Sequence, residues 1–238
     1  MRFYVIKIPK LEMLAMLSIV TVFISLLSIS YLASDDVENV DLSTLAGHNI
    51  IIDPGHGGID SGATANHVIE KEITIKISMK LAEILRQYGA SVTLTREGDI
   101  DYYTKGKGGK RKDLLKRIEI IEQSGAELFI SIHCNAFPMG NLSGAQVFYS
   151  PKFPESKLLA ERLQQALTIC PPGNKRQVKE DLRILVLNGI KMPGVLIETG
   201  YLTNQQEALL LADAAYQQQV VEQIAKGLAY HFKQCVAK

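Results

Sequence analysis

Only three cysteines occur in the 238 residues, Cys134, Cys170 and Cys235. They could make one disulfide at most and would leave a thiol over, so no disulfide framework holds this fold. Net charge is also nearly missing, since 26 basic side chains stand against 25 acidic ones for a formal +1. Nothing in that balance argues for nucleic acid as a partner. The chain contains no internal repeat, no Gly-x-Gly-x-x-Gly dinucleotide loop and no Gly-Lys-Ser/Thr of a P-loop. One stretch lacks charge altogether: Met13 to Ser34, MLAMLSIVTVFISLLSISYLAS.

About 20 apolar residues suffice to span a bilayer as helix, and this run holds 22 residues. Arg2, Lys7 and Lys10 precede it, and Asp35, Asp36, Glu38 and Asp41 follow it. By the positive-inside rule the N-terminus stays cytoplasmic and the remainder is exported. Ser28-Ile29-Ser30 fits a small-x-small cleavage site, yet the run exceeds the roughly 7–15 residues of a usual signal core. Residues 1–34 are therefore expected to be a signal peptide or a membrane anchor, the latter slightly favoured. Residues 35–47 form a polar linker, and 48–238 one folded domain. Beyond residue 34 the chain carries 23 basic and 24 acidic side chains, close to neutrality.

After the linker, strands alternate with helices. HNIIID (48–53), SVTLT (91–95), ELFISIH (127–133), AQVFYS (145–150), RILVL (183–187) and GVLIET (194–199) read as strands. Between them, residues 70–88 place Ile73, Ile77, Leu81, Ile84 and Leu85 on one helical face, and 112–124 and 156–167 are also amphipathic. A terminal helix over 213–232 carries Tyr216, Val220, Ile224, Leu228 and Phe232. This order predicts an α/β fold: a single three-layer domain with a mainly parallel, twisted sheet and helices on both faces, preceded by one N-terminal apolar helix.

Ligands of such sheets sit beyond the carboxyl ends of the strands. Asp53-Pro54-Gly55-His56 follows the first strand, His133 ends ELFISIH, and Glu198 ends GVLIE. Three elements distant in sequence thus converge on one sheet edge. A bare structural turn would explain the glycines of DPGHGG but not a second histidine at another strand end. A catalytic zinc ion explains both, since it takes three ligands from His, Asp and Glu and keeps one position open. For the third ligand, Asp53, Glu70, Glu72 and Glu198 all qualify by type. Glu70 and Glu72 lie about 200° apart around their helix and cannot both face one ion. His67 is either a further ligand or a solvated loop residue, and His48 and His231 read as ordinary surface or core residues.

The motifs DPGHGGIDSGA (53–63), IEKEIT (69–74), LFISIHCNA (128–136) and MPGVLIETGYLTN (192–204) resemble the zinc-dependent N-acetylmuramoyl-L-alanine amidases with an amidase_3-type catalytic domain. The likeness runs in order from residue 48 to the C-terminus. It implies His56, Glu70 and His133 as ligands of Zn2+ and Glu198 as the catalytic carboxylate. It further implies hydrolysis of the amide between the lactyl group of N-acetylmuramic acid and L-alanine in peptidoglycan. Asp53 is expected to orient a ligand histidine or its loop, because ligating imidazoles usually pass their other N–H to an acceptor. The glycines of GHGG are expected to keep the open face of the metal bare for a bulky glycan strand. Arg117 matches a recurring family arginine and is expected to be structural. Cys134 should point away from His133 along the strand and serve as a packed small residue.

A compact amidase behind one apolar segment resembles the germination-specific spore-cortex amidases of endospore-forming bacteria, whose product leads to muramic-δ-lactam. The location implied is extracytoplasmic, either membrane-anchored or secreted into the wall or the forespore intermembrane space. A vegetative wall amidase shares the same motifs. A zinc peptidoglycan carboxypeptidase or deacetylase would use the same ligands on another bond, and a non-catalytic wall-binding module would have no need to keep Glu198. Finally, residues 100–117 hold seven basic residues against two acids. They form either a solvated loop or, as a hypothesis, a contact in which Lys110, Arg111 and Lys112 dock glycan or an activating protein partner.

Overall fold

The computed structural model describes residues 16, 18–25, 37–103, 109–138 and 141–236. Most of the apolar run 13–34 lies outside them, as do residues 104–108 of the basic segment. The described part of the apolar run, 16 and 18–25, is helical. Among the described residues no helix is long and apolar enough to cross a membrane. The chain divides into two units, Met1–Asn39 and Val40–Lys238. The second unit holds the α/β domain.

Its central sheet has eight-residue strands at the middle and short ones at the rim. In chain order the strands are β1 Asn49–Pro54, β4 Ser91–Leu94, β5 Leu128–Asn135, β6 Gln146–Tyr149, β7 Lys179–Glu180 and β8 Gly194–Tyr201. A separate hairpin, β2 Thr64–Ala65 with β3 Val68–Ile69, leads into the first long helix. The sheet order is β4-β1-β5-β8-β6-β7. All pairings are parallel except β6 with β8. The three central strands, β1, β5 and β8, are covered on both sides, which is why they read as nearly unbroken apolar runs.

The helices are α1 Glu70–Gln87, α2 Gly109–Gln123, α3 Pro154–Ala166, α4 Leu185–Gly189, α5 Gln205–Ala212 and α6 Ala214–Val236. Because side chains alternate along a strand, Ile50, Ile52, Ile130, Ile132, Val195 and Ile197 face one side. There they pack with Ile77 and Leu81 of α1, Leu159 and Leu163 of α3, and Val220 and Ile224 of α6. Ile51, Phe129, Phe148 and Leu196 face the other side and meet Ile121 of α2 and Val186, Leu187 and Ile190 of α4. The three-layer α/β architecture is as expected.

Three local expectations change. RILVL (183–187) is not a strand: its second half begins helix α4, which turns Val186, Leu187 and Ile190 towards α2 and the sheet. Helix α5 and the β2–β3 hairpin appear where no regular element was expected. Part of the linker also folds, since Leu42–Leu45 form a 3-10 turn capped by Asp41, with Leu45 fully buried in the larger core.

Candidate active site

Asp53, Ser131, His133, Leu196 and Glu198 all fall on the α2/α4 face of the sheet, at or near the carboxyl ends of β1, β5 and β8. His133 and Glu198 are register partners on neighbouring parallel strands. His56 reaches the same edge because the chain leaves β1 through a left-handed residue, with His56 itself at φ 61°. Glu70 arrives from the opposite direction. Its helix starts after the β2–β3 hairpin, and the backbone bonds Glu70 N to Ala63 O at 2.9 Å and Lys71 N to Ser61 O at 3.1 Å draw that start against the loop.

The result is a tight constellation. Glu70 Oε1 lies 2.9 Å from His133 Nδ1 and 3.1 Å from His56 Nε2. The same oxygen accepts from Cys134 N at 3.1 Å, and Oε2 accepts from Ala63 N at 2.8 Å. Ligand atoms of His56, Glu70 and His133 all fall within 4.8 Å of one another. A single carboxylate oxygen facing two ring nitrogens needs protons or a cation between them. Two imidazoles and a carboxylate are the donor set that a catalytic divalent metal takes. Burial opposes ionisation of Glu70, but hydrogen bonds from His133 and His56 outweigh it and hold the carboxyl well below the usual range. His133 is shifted upward, because Glu70 outweighs its burial. The residues fit a metal.

Glu198 stands apart from that group. Its Oε2 is buried and has no hydrogen-bond partner, and burial pushes its carboxyl up to about 7. An orphaned buried oxygen of this kind is costly unless something else uses it. A cleft of about 240 Å³ beside His56 and His133 is walled by Leu114, Ile184, Leu185, Val186 and Leu196, with Asp60 and Lys110 also at its polar side; Glu198 is not among its lining residues.

The supports are partly those expected and partly new. Asp53 reaches neither imidazole. Its carboxylate accepts from Thr95 Oγ1 (2.5 Å), Arg117 Nη1 (2.8 Å) and Ser131 Oγ (3.0 Å). Arg117, also paired with Asp113 at 2.9 Å, donates onward to Pro54 O and His56 O, both carbonyls of the histidine loop. Asp53 therefore holds the loop through Arg117, whose charge keeps the Asp53 carboxyl low against the opposing effect of burial. Arg96, which belongs to none of the sequence motifs, donates to Pro54 O, Gly55 O and Lys71 O from the other side. The residue that does meet an imidazole is Asp60, its Oδ2 lying 2.8 Å from His56 Nδ1.

The glycines of this region are closely packed. A Cβ on Gly55 would lie 2.4 Å from His133 Cε1, and one on Gly62, at φ +66°, would lie 2.5 Å from Glu70 Oε2. Gly57 and Gly58 take positive φ and abut Ile100, Arg96 and Asp101. These glycines make room for the side chains of His56, Glu70 and His133 and for neighbouring loops.

The remaining residues sort cleanly. Glu72 is exposed. His67 is exposed at φ 62° in the hairpin turn. His48 bonds Glu127 and stacks on Phe232 with ring centroids 3.6 Å apart. Cys134 is buried with its Sγ 3.3 Å from Thr199 Oγ1, on the face away from His133. None of the three cysteines is in a disulfide. Lys110, Arg111 and Lys112 are all exposed at the start of α2, and Lys110 Nζ also lies 3.2 Å from Asp60.

Residues 50–230 match the family model described as N-acetylmuramoyl-L-alanine amidase, Amidase_3. The chain belongs to that family. It is 39% identical over 192 residues to the germination-specific N-acetylmuramoyl-L-alanine amidase of Bacillus subtilis (strain 168), covering 79% of this chain and 81% of that one. It is also 32% identical to the amidase AmiA of Escherichia coli (strain K12), over 77% of this chain and 75% of that one. Among solved structures it resembles the CwlD amidase from Clostridioides difficile, determined in complex with the GerS lipoprotein. That match has a TM-score of 0.75 and 37% identity and covers 79% of this chain and all of the CwlD chain.

Proposed function

We propose that this amidase is zinc-dependent, with His56, Glu70 and His133 as the ligands and Glu198 as the catalytic base. The observation that carries the reading is the approach of three ligand side chains from β1, α1 and β5 beside an unpartnered buried carboxylate on β8. The bond cleaved is the amide joining the lactyl carbonyl of N-acetylmuramic acid to L-alanine. When bound, zinc supplies a Lewis acid for that carbonyl and lowers the pKa of water at the site.

The chain's own groups supply the rest. Glu198 Oε2 takes a proton from the attacking water and returns it to the departing alanyl nitrogen. A carboxyl held up to about 7 by burial is suited to both halves of that exchange near neutral pH. The apolar wall of Leu114, Ile184, Val186 and Leu196 suits the two small methyl groups that flank the scissile bond. Arg96 and Arg117 keep the loop carrying His56 in place while substrate enters.

The test compares the zinc-loaded wild type with Glu198→Gln on peptidoglycan fragments, with products read by mass spectrometry. The wild type should release stem peptides bearing a free L-alanine amine. The variant should retain zinc and lose about 10²–10⁴-fold in rate. Release of acetate instead would assign a deacetylase.

The likeness to the germination-specific enzyme supports a role in spore cortex, upstream of muramic-δ-lactam. The competing vegetative role predicts that a strain lacking the gene makes cortex with normal lactam. We further propose that the domain acts outside the cytoplasm, delivered by the apolar segment 1–34, and that residues 48–238 form the catalytic domain. A protein partner is proposed because CwlD was solved with GerS. Exposed Lys110, Arg111 and Lys112 offer it a basic contact, Lys110 being also paired with Asp60. Charge reversal at 111 and 112 should weaken partner binding without altering the isolated enzyme.

A further inference from the structure

Glu198 has a polar neighbour on the side away from the histidines. The register that pairs His133 of β5 with Glu198 of β8 also pairs Glu198 with Gln146 of β6. Residues opposite one another on adjacent strands share a face, with Cβ atoms about 4.5–5.5 Å apart. Phe148 and Leu196, the partners two residues along, fix which face, since both lie in the α2/α4 cluster. His133, Glu198 and Gln146 therefore form one row across neighbouring strands. Gln146 is partly exposed, and its Nε2 donates to Gln177 O at 2.8 Å. A carbonyl only accepts, which fixes the orientation of the amide. Glu198 Oε2 stays without a partner although this amide stands directly across from it. Among the described residues nothing donates to Gln146 Oε1, so both groups are left for another molecule.

The row continues towards a basic cleft. β7 pairs in parallel with β6, Lys179 against Phe148, which sets Gln177 beside Gln146. Just ahead of these two residues in the chain, Ser143, Asn174, Lys175 and Arg176 line a cleft of about 330 Å³. Arg176 is anchored there, its Nε donating to Ser143 O at 3.0 Å and its Nη2 to the Tyr201 hydroxyl at 2.5 Å.

We infer that Gln146 is a specificity-determining residue of this amidase: it holds the first peptide amide beyond the departing L-alanine, and the stem peptide runs over it towards Lys175 and Arg176. This rests on the reading of Glu198 as the base. The order along the row carries the direction. The scissile carbonyl belongs with His56, Glu70 and His133, and Glu198 must reach the alanyl nitrogen, so whatever follows that nitrogen crosses the next strand. Consecutive Cα atoms lie about 3.8 Å apart and neighbouring strands about 4.8 Å, which brings the amide after L-alanine to Gln146. A glutamine amide both donates and accepts, as a peptide amide does. Charge favours peptide over glycan. The glycan is neutral once its lactyl carboxyl is tied up in the amide, whereas a peptide brings at least its terminal carboxylate to the two cations.

The experiment uses the full, zinc-loaded chain carrying Glu198→Gln, so that substrate is bound without being cut. Gln146→Ala, Gln146→Met and, as a control, Tyr201→Phe are each added to it. Tyr201→Phe removes an anchor of Arg176 but no group of the row. Two ligands are titrated by calorimetry: a disaccharide of N-acetylglucosamine and N-acetylmuramic acid bearing the stem peptide, and the same disaccharide with its lactyl group as the methylamide. Gln146→Ala and Gln146→Met should weaken the first about tenfold and the second less than about twofold, with Tyr201→Phe within about twofold on both. With Glu198 restored, the loss should appear as a higher KM at little-changed kcat. Should Gln146→Ala fail to fold, Gln146→Met, close in length but without the amide, decides by the same readouts.

Unchanged affinity for the stem-bearing ligand in both Gln146 variants would overturn the inference. Equal weakening of the two ligands would assign the row to the glycan instead, and an equal loss in Tyr201→Phe would reduce Gln146 to a support of the segment it bonds. The titrations need no turnover. If the chain with Glu198 intact releases no stem peptide, the reading of the catalytic group falls, and the binding comparison still decides the role of Gln146.

Discussion

The two faces of the sheet are built on different physics. The α1/α3/α6 face is mostly dry: Ile50, Ile52, Ile130, Ile132, Val195 and Ile197 meet three long helices whose buried side chains are largely apolar, with Thr74, Ser78, Gln164 and Gln217 among the buried polar ones. The α2/α4 face has a smaller apolar cluster. Towards the strand ends it gives way to a buried polar network of Asp53, Thr95, Asp113, Arg117 and Ser131. The dry face supplies non-directional stability and tolerates much repacking. The wet face supplies direction, since each of its bonds fixes where a loop carbonyl or a ligand side chain lies. Placing chemistry on one face lets a rigid apolar layer support a constellation that could not stabilise itself.

Damage of similar size on the two faces should therefore have different functional consequences. Arg117→Met is the most damaging change. Arg117 is 2% exposed and lies between Asp53 and Asp113, and its loss leaves two buried carboxylates unpaired at a cost of about 3–5 kcal/mol. Urea melts should show that loss, and the molecules still folded at low temperature should bind zinc weakly because His56 O is released and Pro54 O keeps only Arg96. Leu81→Ala, in the dry face and fully buried, should cost about 2–5 kcal/mol while the folded fraction keeps wild-type zinc affinity and turnover. Equal functional loss in both variants would break the division.

Gly55→Ala tests the junction of the faces. Its Cβ would overlap the His133 ring, so the ring must move. A stability cost of about 1–3 kcal/mol should come with a disproportionate loss of zinc in calorimetric titration.

The same division governs what was legible in the sequence. Buried parallel strands such as NIIID and LFISIH advertise themselves, and so do polar residues at their carboxyl ends. His56, His133 and Glu198 could be brought together for that reason alone. Choosing Glu70 over Glu72 needed the family resemblance, because the course of the returning loop, with its β2–β3 hairpin, is a tertiary matter. RILVL misled because five apolar residues do not separate strand from short helix by periodicity. Helix α5 did carry a signal, Asn204 before Gln206 and Glu207, whose backbone N–H groups its side chain accepts. Arg96 carried none, since an arginine that donates to four separate carbonyls is indistinguishable in sequence from a solvated one. Asp60 lay between: the HGGID spacing was in view, but only the isolated antiparallel bridge between Gly57 and Asp60 shows that the turn closes on the ring.

A smaller effect separates the faces by pH. His231 of α6 is 6% exposed, and Arg162 of α3 donates to its Nδ1 at 2.9 Å and to its carbonyl at 3.1 Å. Cys235 Sγ lies 3.8 Å from its other nitrogen, and His48 and Glu127 face it from before β1 and β5. Burial, reinforced by the Arg162 charge, pushes its pKa down from 6.5 to about 4. The unfolded chain thus binds this proton first, and stability must fall as pH drops from 6.5 to about 4, by about 3 kcal/mol at most. Above 6.5 the contribution is complete, and below about 4 nothing further is lost from this residue. Asp53 on the wet face behaves oppositely in position, because its lowered pKa keeps its contribution intact until pH falls below the ordinary carboxylate range. Urea melts at pH 7, 5.5 and 4.5 should therefore show a decline that His231→Gln flattens and Asp53→Asn does not. An unchanged slope in His231→Gln would mean that the dry face carries no such titration, and that acid sensitivity begins at the site itself.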